Sequence, residues 1–311
     1  MLFLRLIVLG IAFCIDLFFG DPPSALHPTA WMGSLIGFFS KNSPENKGPA
    51  VQFIFGILII LVGGLCVGTL GLGLETLIQR LPVFIGLLFG GIILKITFTL
   101  RGLVNASNQV VKAFAEDDLE EARQLVAWHL VSRNTKSLDK SQVSAAAIES
   151  VAENTSDSII APIFYFFLFG LPGALVYRFV NTADAMLGYR SEKYEWLGKA
   201  SARLDDLLNI IPARLTALLF VLAAPVSDGD IKKAVSVWWT DRKKTASPNA
   251  GHPMSAAAGA LGIRLEKDGY YILGGEQKQP SPDDLCRMLR LMKVSIVIGS
   301  VLASILVIGM S

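Results

Sequence analysis

The sequence predicts an all-α polytopic integral membrane protein. It should have about four transmembrane helices, further re-entrant or short buried helices, and a polar cap with a small β-hairpin. Three observations predict this. First, 52% of the 311 residues are hydrophobic and only 17% are charged, against roughly 25% charged in soluble domains; mean hydropathy is +0.51. Second, the apolar residues collect in runs close to the ~20 residues a helix needs to cross the hydrocarbon. Third, the polar segments between the runs (21–49, 104–157, 181–209 and 227–290) are too short to be separate domains. Residues 1–311 are therefore expected to form a single helical membrane domain.

Residues 2–20 form the first run. Asp16 near its end and the following FFGDPP, which is no small-residue cleavage site, mark it as a retained span. Residues 50–79 follow, rich in glycines that permit close helix packing. Residues 82–103 make a third span, begun by Pro82 and containing Lys95, and residues 291–309 make the last. Two further runs are interrupted. Residues 158–180 are broken by GLPG at 170–173, and about 210–226 are bounded by Pro212 and Pro225. Glycine and proline in mid-run favour a helix–turn–helix that re-enters.

Among the polar segments, EDDLEEARQLVAWHLVSR has an acidic start, a basic end and apolar residues at helical spacing, so it predicts an amphipathic helix. Within IRLEKDGYYILGG, Lys-Asp-Gly predicts a hairpin turn, and SPDD predicts the start of the last helix. Cys14, Cys66 and Cys286 lack metal-like spacing; the first two lie in apolar runs and read as buried hydrophobes. Three scattered histidines make no zinc site, and a net charge of +2 gives no ground for a nucleic-acid partner.

Four stretches carry chemistry. In AIESVAENTSDSIIAP (147–162), Glu149, Glu153 and Asp157 recur every four residues and share one helical face. Three like charges repel unless cations oppose them. A divalent metal site, most naturally Mg²⁺ bridging to phosphates, and a solvated acidic face both fit this pattern. In DLFFGDPPSALHP (16–28), Asp16 and Asp21 sit at the edge of a span. Acids there mark function, although Asp21 would also cap a turn.

In the third stretch, Asn181 and Asp184 lie one helical turn apart. Arg190, Lys193, Lys199 and Arg203 follow, then Asp205-Asp206, Asn209 and Arg214. Acids, amides and cations together suit a metal-bound polyphosphate; a positive-inside bias accounts for the cations alone. In TASPNAGHPMSAAAGALG (245–262), small residues let backbone approach a ligand, and a helix starting near Pro253 or Met254 would favour an anion. No Walker, G-x-G-x-x-G or G-x-S-x-G motif is present.

Together DLFFGDPPSALHPTAWMG, AIESVAENTSDSIIAP, VNTADAMLGYRSEKYEWLGKASARLDDLLNIIPARLTA and SPNAGHPMSAAAGALG resemble, in that order and over almost the whole chain, the CobD/CbiB family of adenosylcobinamide-phosphate synthases. The resemblance implies an ATP- and Mg²⁺-dependent ligase of cobalamin biosynthesis. It would join adenosylcobyric acid to (R)-1-amino-2-propanol phosphate, or to the free amino alcohol. Glu149, Glu153, Asp157, Asn181 and Asp184 would then serve Mg–ATP, with Glu149 and Glu153 also catalytic and Asn154 and Asn249 in the nucleotide set. Arg190, Lys193 and Arg203 would neutralise phosphates, and Asp21 and His27 would bind the amine or move its proton. The partners implied are these two substrates and membrane lipid, with a homo-oligomer admitted. Ser158 departs from the glycine expected there. A shorter resemblance to a membrane protein linked to β-lactamase regulation keeps a non-catalytic regulator as an alternative, and the broken helices with intramembrane Asp16 and Lys95 keep a corrinoid-handling transporter.

ATP is cytoplasmic, so the functional loops of a multi-pass cell-membrane protein are expected on that side. Parity then requires 158–180 and 210–226 to return to the side they left, with both termini on the other. The hairpin through GLPG would bring the Glu149 and Asp184 halves together.

Overall fold

The computed structural model describes residues 2–23, 25, 27–44, 47–188 and 194–309. The elements in chain order begin with helices α1 (Leu2–Phe19), α2 (Pro28–Lys41), α3 (Gly48–Gln79), α4 (Val83–Lys95), α5 (Leu100–Ala115), α6 (Leu119–His129) and α7 (Lys140–Thr155). A π-helical turn, Ser156–Ile160, precedes α8 (Ala161–Leu187), α9 (Lys199–Leu208), α10 (Ile210–Ala223), α11 (Ile231–Asp241) and α12 (Gly251–Leu261). Strands β1 (Leu265–Lys267) and β2 (Tyr271–Leu273) and helix α13 (Pro282–Gly309) complete the chain. The polytopic all-α class predicted from composition is the class observed. The chain forms two compact units, one of residues 1–100 and 161–209 and the other of residues 101–160 and 210–311.

Among the described residues, five helices are long and apolar enough to cross a membrane, or up to six if the bent pair α4 and α5 counts as one span. About four were expected. Both runs expected to re-enter, inside 140–187 and at 210–227, pass by length and composition. The expected span 82–103 does not run straight. Its first helix, α4, ends at Lys95, well short of residue 103.

In the first unit, α8 and α3 pack closely along a ladder of glycines. A Cβ on Gly56 would strike the Leu197 carbonyl, one on Gly63 would strike the Phe179 ring, and one on Gly71 would lie 2.8 Å from Pro172 Cα. Small residues let the helices approach this closely, which replaces the hydrophobic drive that lipid removes. Ile59, Ile60, Phe179, Val180 and Leu187 fill the core beside the ladder. The descending register shows that the later half of α8 runs antiparallel to α3.

Gly170 breaks α8 with φ 72° and ψ −157°, a conformation only glycine adopts readily. Tyr165 and Tyr177 stack with ring centroids 5.1 Å apart. Twelve residues of unbroken helix would separate them by about 18 Å, so the chain doubles back at GLPG as predicted. The Glu75 carboxylate sits at the break, where a Cβ on Gly170 would lie 2.5 Å from its Oε1.

In the second unit, a capping box of Asp139 and Gln142 starts α7. From Val143 to Ala152 every α7 residue is buried, because Ser and Ala side chains let α6, α12, α13 and β1 pack around it. Glu149 is therefore not on a solvated face, whereas Glu153 and Asp157 on the same stripe are half-buried. Helix α12 is likewise buried at every position; a Cβ on Gly259 would lie 2.5 Å from the Lys233 carbonyl of α11. It begins at Gly251, two residues before the expected start. The Ser247 hydroxyl accepts the N–H groups of Asn249 and Ala250, and Pro253 fits the first turn without a donor. The hairpin forms where predicted, pairing Leu265 with Leu273 and Lys267 with Tyr271. Helix α13 starts at SPDD as predicted, with Asp284 in its first turn accepting the Ser281 N–H at 3.0 Å. Cys14 and Cys66 are exposed, contrary to the buried reading, because a spanning helix presents apolar side chains outward to lipid as well as inward.

Candidate functional site

Within the first unit, the end of α4 carries Lys95, 2% exposed. Its Nζ lies 2.9 Å from Asp16 Oδ1 and 2.5 Å from Asp21 Oδ1. A charge buried this deeply needs such partners. Thr99 Oγ1 donates to Asp21 Oδ2 at 2.6 Å, and His27 Nε2 stands 3.8 Å from Asp21. His27 also caps α2, its Nδ1 accepting the Thr29 N–H at 3.2 Å. That bond places the neutral ring's proton on Nε2, the nitrogen toward Asp21. Burial alone would raise the Asp21 carboxyl. The contacts from His27, Lys95 and Thr99 and the Lys95 charge outweigh burial and hold it well below the usual carboxylate range. So stabilised, Asp21 is a poor proton acceptor, and holding an ammonium suits it better than proton transfer.

The second cluster of this unit centres on Asp205, which is buried. It accepts from Asn181 Nδ2 at 3.2 Å and Asn209 Nδ2 at 2.9 Å. Tyr177 donates to Asn209 Oδ1 at 2.8 Å, and Arg178 to Asn181 Oδ1 at 3.3 Å. Burial lifts the Asp205 carboxyl above its ordinary value, opposed by the two amide hydrogen bonds. Asp184 follows Asn181 by one turn and is half-buried, while Arg203 on α9 is exposed. Arg190 and Lys193 lie outside the described residues.

Within the second unit, a cavity of about 170 Å³ is lined by Arg133, Glu149, Ser150, Glu153, Lys267 and Tyr271, among others. Glu149 is 6% exposed. Its Oε2 accepts from Arg133 at 3.3 Å, while Oε1 is buried and meets no donor in hydrogen-bonding geometry. The Tyr271 hydroxyl is near enough to feel this carboxyl: burial first, then the Glu149 and Glu153 charges, push the phenol well above its ordinary value. Tyr271 is thus a proton donor at any physiological pH. Asn154 commits its amide to its own helix, donating to the Ser150 carbonyl at 3.0 Å and accepting from the Ser158 hydroxyl at 3.0 Å. Ser158, the departure from the expected glycine, thereby braces the π turn. Asn249 is buried and accepts from Arg214 at 3.2 Å.

A model of the CobD/Cbib protein family matches residues 9–292. The chain belongs to the CobD/Cbib family. The curated "Probable cobalamin biosynthesis protein CobD" of Methanocaldococcus jannaschii is 42% identical over 270 residues, covering 86% of this chain and 88% of that one. The protein of the same name from Pyrococcus furiosus is 40% identical over 305 residues, covering 97% and 98%. "Cobalamin biosynthesis protein CobD" of Dehalococcoides mccartyi is 40% identical, covering 90% of each. No solved structure matches the chain.

In this CobD/Cbib chain the predicted residues fall into two groups. Asp21, His27, Asn181, Asp184 and Arg203 belong to the first unit, and Glu149, Glu153, Asn154, Asp157 and Asn249 to the second. Glu149 and Glu153 line one cavity. Among the described residues, however, no three His, Cys, Asp or Glu side chains gather as a self-contained metal site. Magnesium commonly takes only one or two carboxylates and completes its shell with water and substrate phosphates. The orphaned Glu149 oxygen, with Glu153 beside it, fits that smaller donor set. Sequence reasoning missed Arg133, Lys267 and Tyr271. The one signal for the last two was the hairpin register, which sets Lys267 opposite Tyr271.

Proposed function

We propose that the protein is an ATP- and Mg²⁺-dependent amide ligase of cobalamin biosynthesis. It would join the free carboxylate of adenosylcobyric acid to the amine of (R)-1-amino-2-propanol phosphate, or of the free amino alcohol. The observation that carries this reading is the mixed-charge cavity at α7. Its buried Glu149 Oε1 is without a partner in strict hydrogen-bonding geometry, with the Tyr271 hydroxyl close to the same carboxyl, Glu153 beside it, and Arg133 and Lys267 lining the same space. The printed names of the relatives support the pathway.

A carboxylate does not react with an amine at neutral pH, because it is a poor electrophile. ATP supplies the activation by phosphorylating it; amine attack then forms the C–N bond and releases phosphate. Glu149 and Glu153 would hold Mg²⁺. Arg133 and Lys267 would neutralise phosphate oxygens, as paired cations do in other phosphoryl-transfer sites. Tyr271 would donate a hydrogen bond and keep its proton. We place these polar segments on the cytoplasmic side of the cell membrane, where ATP is available.

The test uses full-length protein in nanodiscs with cobyric acid, the amine, ATP and Mg²⁺, and reads the amide product by mass spectrometry. Glu149→Gln and Asp184→Asn are each expected to lower kcat/KM by about 100-fold or more, the scale of losing one charge-stabilising group. No product from the wild type, or wild-type rates from both variants, would overturn the ligase reading and return a regulator or transporter to first place.

A further inference from the structure

A cavity of about 720 Å³ in the second unit borders the 245–262 stretch, and the ligase reading above gives its lining residues no role. Arg214, Arg242 and Lys243 line it together with Trp238, Trp239, His252 and the 245–248 loop. None of the described residues lining it is acidic. Three cations facing one space repel each other unless an anion joins them.

The walls are built to hold these groups in place. The Arg242 guanidinium lies over the Trp239 ring, 3.8 Å from its centroid, and donates to the Trp239 carbonyl. Arg214 donates to the Ile210 carbonyl at 2.7 Å and to Asn249 Oδ1 at 3.2 Å. Both arginines are thus oriented by neutral acceptors that leave their charge uncompensated. Trp238 Nε1 donates to His252 Nδ1 at 3.0 Å. An indole N–H can only donate, so His252 carries its proton on Nε2 and adds a neutral donor to the lining.

We propose that this cavity binds the phosphate group of a phosphorylated small molecule, a phosphomonoester or a polyphosphate. Guanidinium pairs recognise phosphate oxygens in a bidentate manner that a carboxylate-lined pocket does not allow. The volume exceeds what a lone inorganic ion needs, and the two indoles offer apolar surface to whatever the phosphate carries. The inference does not depend on the ligase reading, since such a cavity would take a phosphate ester whatever reaction follows. A neutral His252 agrees with it: burial and the Arg214 and Arg242 charges push the imidazolium down to about 4, so the histidine adds no fourth charge.

The test is binding, not turnover. Full-length protein in phosphatidylcholine nanodiscs is titrated with pyrophosphate and with phosphoethanolamine, reading calorimetric heat and tryptophan fluorescence. Arg214→Gln and Arg242→Gln are each expected to weaken binding at least 10-fold, with Arg242→Lys intermediate. Lys243 is exposed, so Lys243→Gln keeps the fold and should weaken binding several-fold. Repeating the titration in phosphatidylglycerol nanodiscs separates the sources. Unchanged affinity assigns the cavity to a soluble phosphate ester, and loss of binding by competition assigns it to a lipid headgroup phosphate. Equal affinity in wild type and all three glutamine variants, or no binding of either probe in either lipid, would overturn the proposal.

Discussion

His252 shows how one buried side chain reports its surroundings. It is 6% exposed, and burial followed by the charges of Arg214 and Arg242 brings its pKa from the ordinary 6.5 to about 4. Between those values the unfolded chain binds a proton that the folded chain refuses. Stability therefore falls as pH drops from about 6.5 to 4 and is unaffected by this group above that window. Replacing His252 by Gln should flatten this acid limb in a series of melting temperatures; an unchanged slope would mean that another group causes it. At the same scale, the sequence marked Lys95 as a charge inside a span and Asp16 and Asp21 as acids at a membrane edge. It did not pair them, because 74 residues separate Asp21 from its partner and only the packing of α1 on α4 joins them. The neighbours of Glu149 were hidden for the same reason. Arg133 comes from the α6–α7 connection and Lys267 from the hairpin, and no local spacing relates either to α7.

Elements were more legible where their signals are local. GLPG predicted the reversal of α8, Lys-Asp-Gly the hairpin and SPDD the start of α13, since each is a backbone requirement written in adjacent residues. Burial of α7 was not readable in this way, because Ser and Ala serve equally on a solvated face and in a tight interface. Which glycines of α3 matter was equally opaque, and two neighbours make the case. A Cβ on Gly63 would overlap the buried Phe179 ring, whereas nothing lies within 4 Å of one on Gly64. Gly63→Ala should cost about 1–3 kcal/mol, the usual penalty of overpacking. Gly64→Ala should be neutral or slightly stabilising, by up to ~1 kcal/mol of helix propensity. Thermal denaturation in one detergent compares them directly, and equal melting temperatures would contradict the close packing of α3 on α8.

For the molecule as a whole, the family match spans residues 9–292 and so takes in all four motifs read from the sequence. What the chain does with a membrane is testable through the first unit. The register of Gly56 with Leu197, Gly63 with Phe179 and Gly71 with Pro172 puts the start of α3 and the segment before α9 at one end, and the α3–α4 turn at the other. With the native cysteines replaced, single cysteines at Lys47 and Glu195 should label from the cytoplasmic face and one at Arg80 from the opposite face. Labelling of all three from one side would rule out this arrangement. The reversal at Gly170 has a further consequence, for biogenesis. N–H groups freed at a break find no partner in lipid, and the Glu75 carboxylate of α3 is the polar group that stands at Gly170, nearly a hundred positions earlier in the chain. The returning half of α8 therefore packs against a segment synthesised before it, so the order of synthesis suits the order in which this bundle closes.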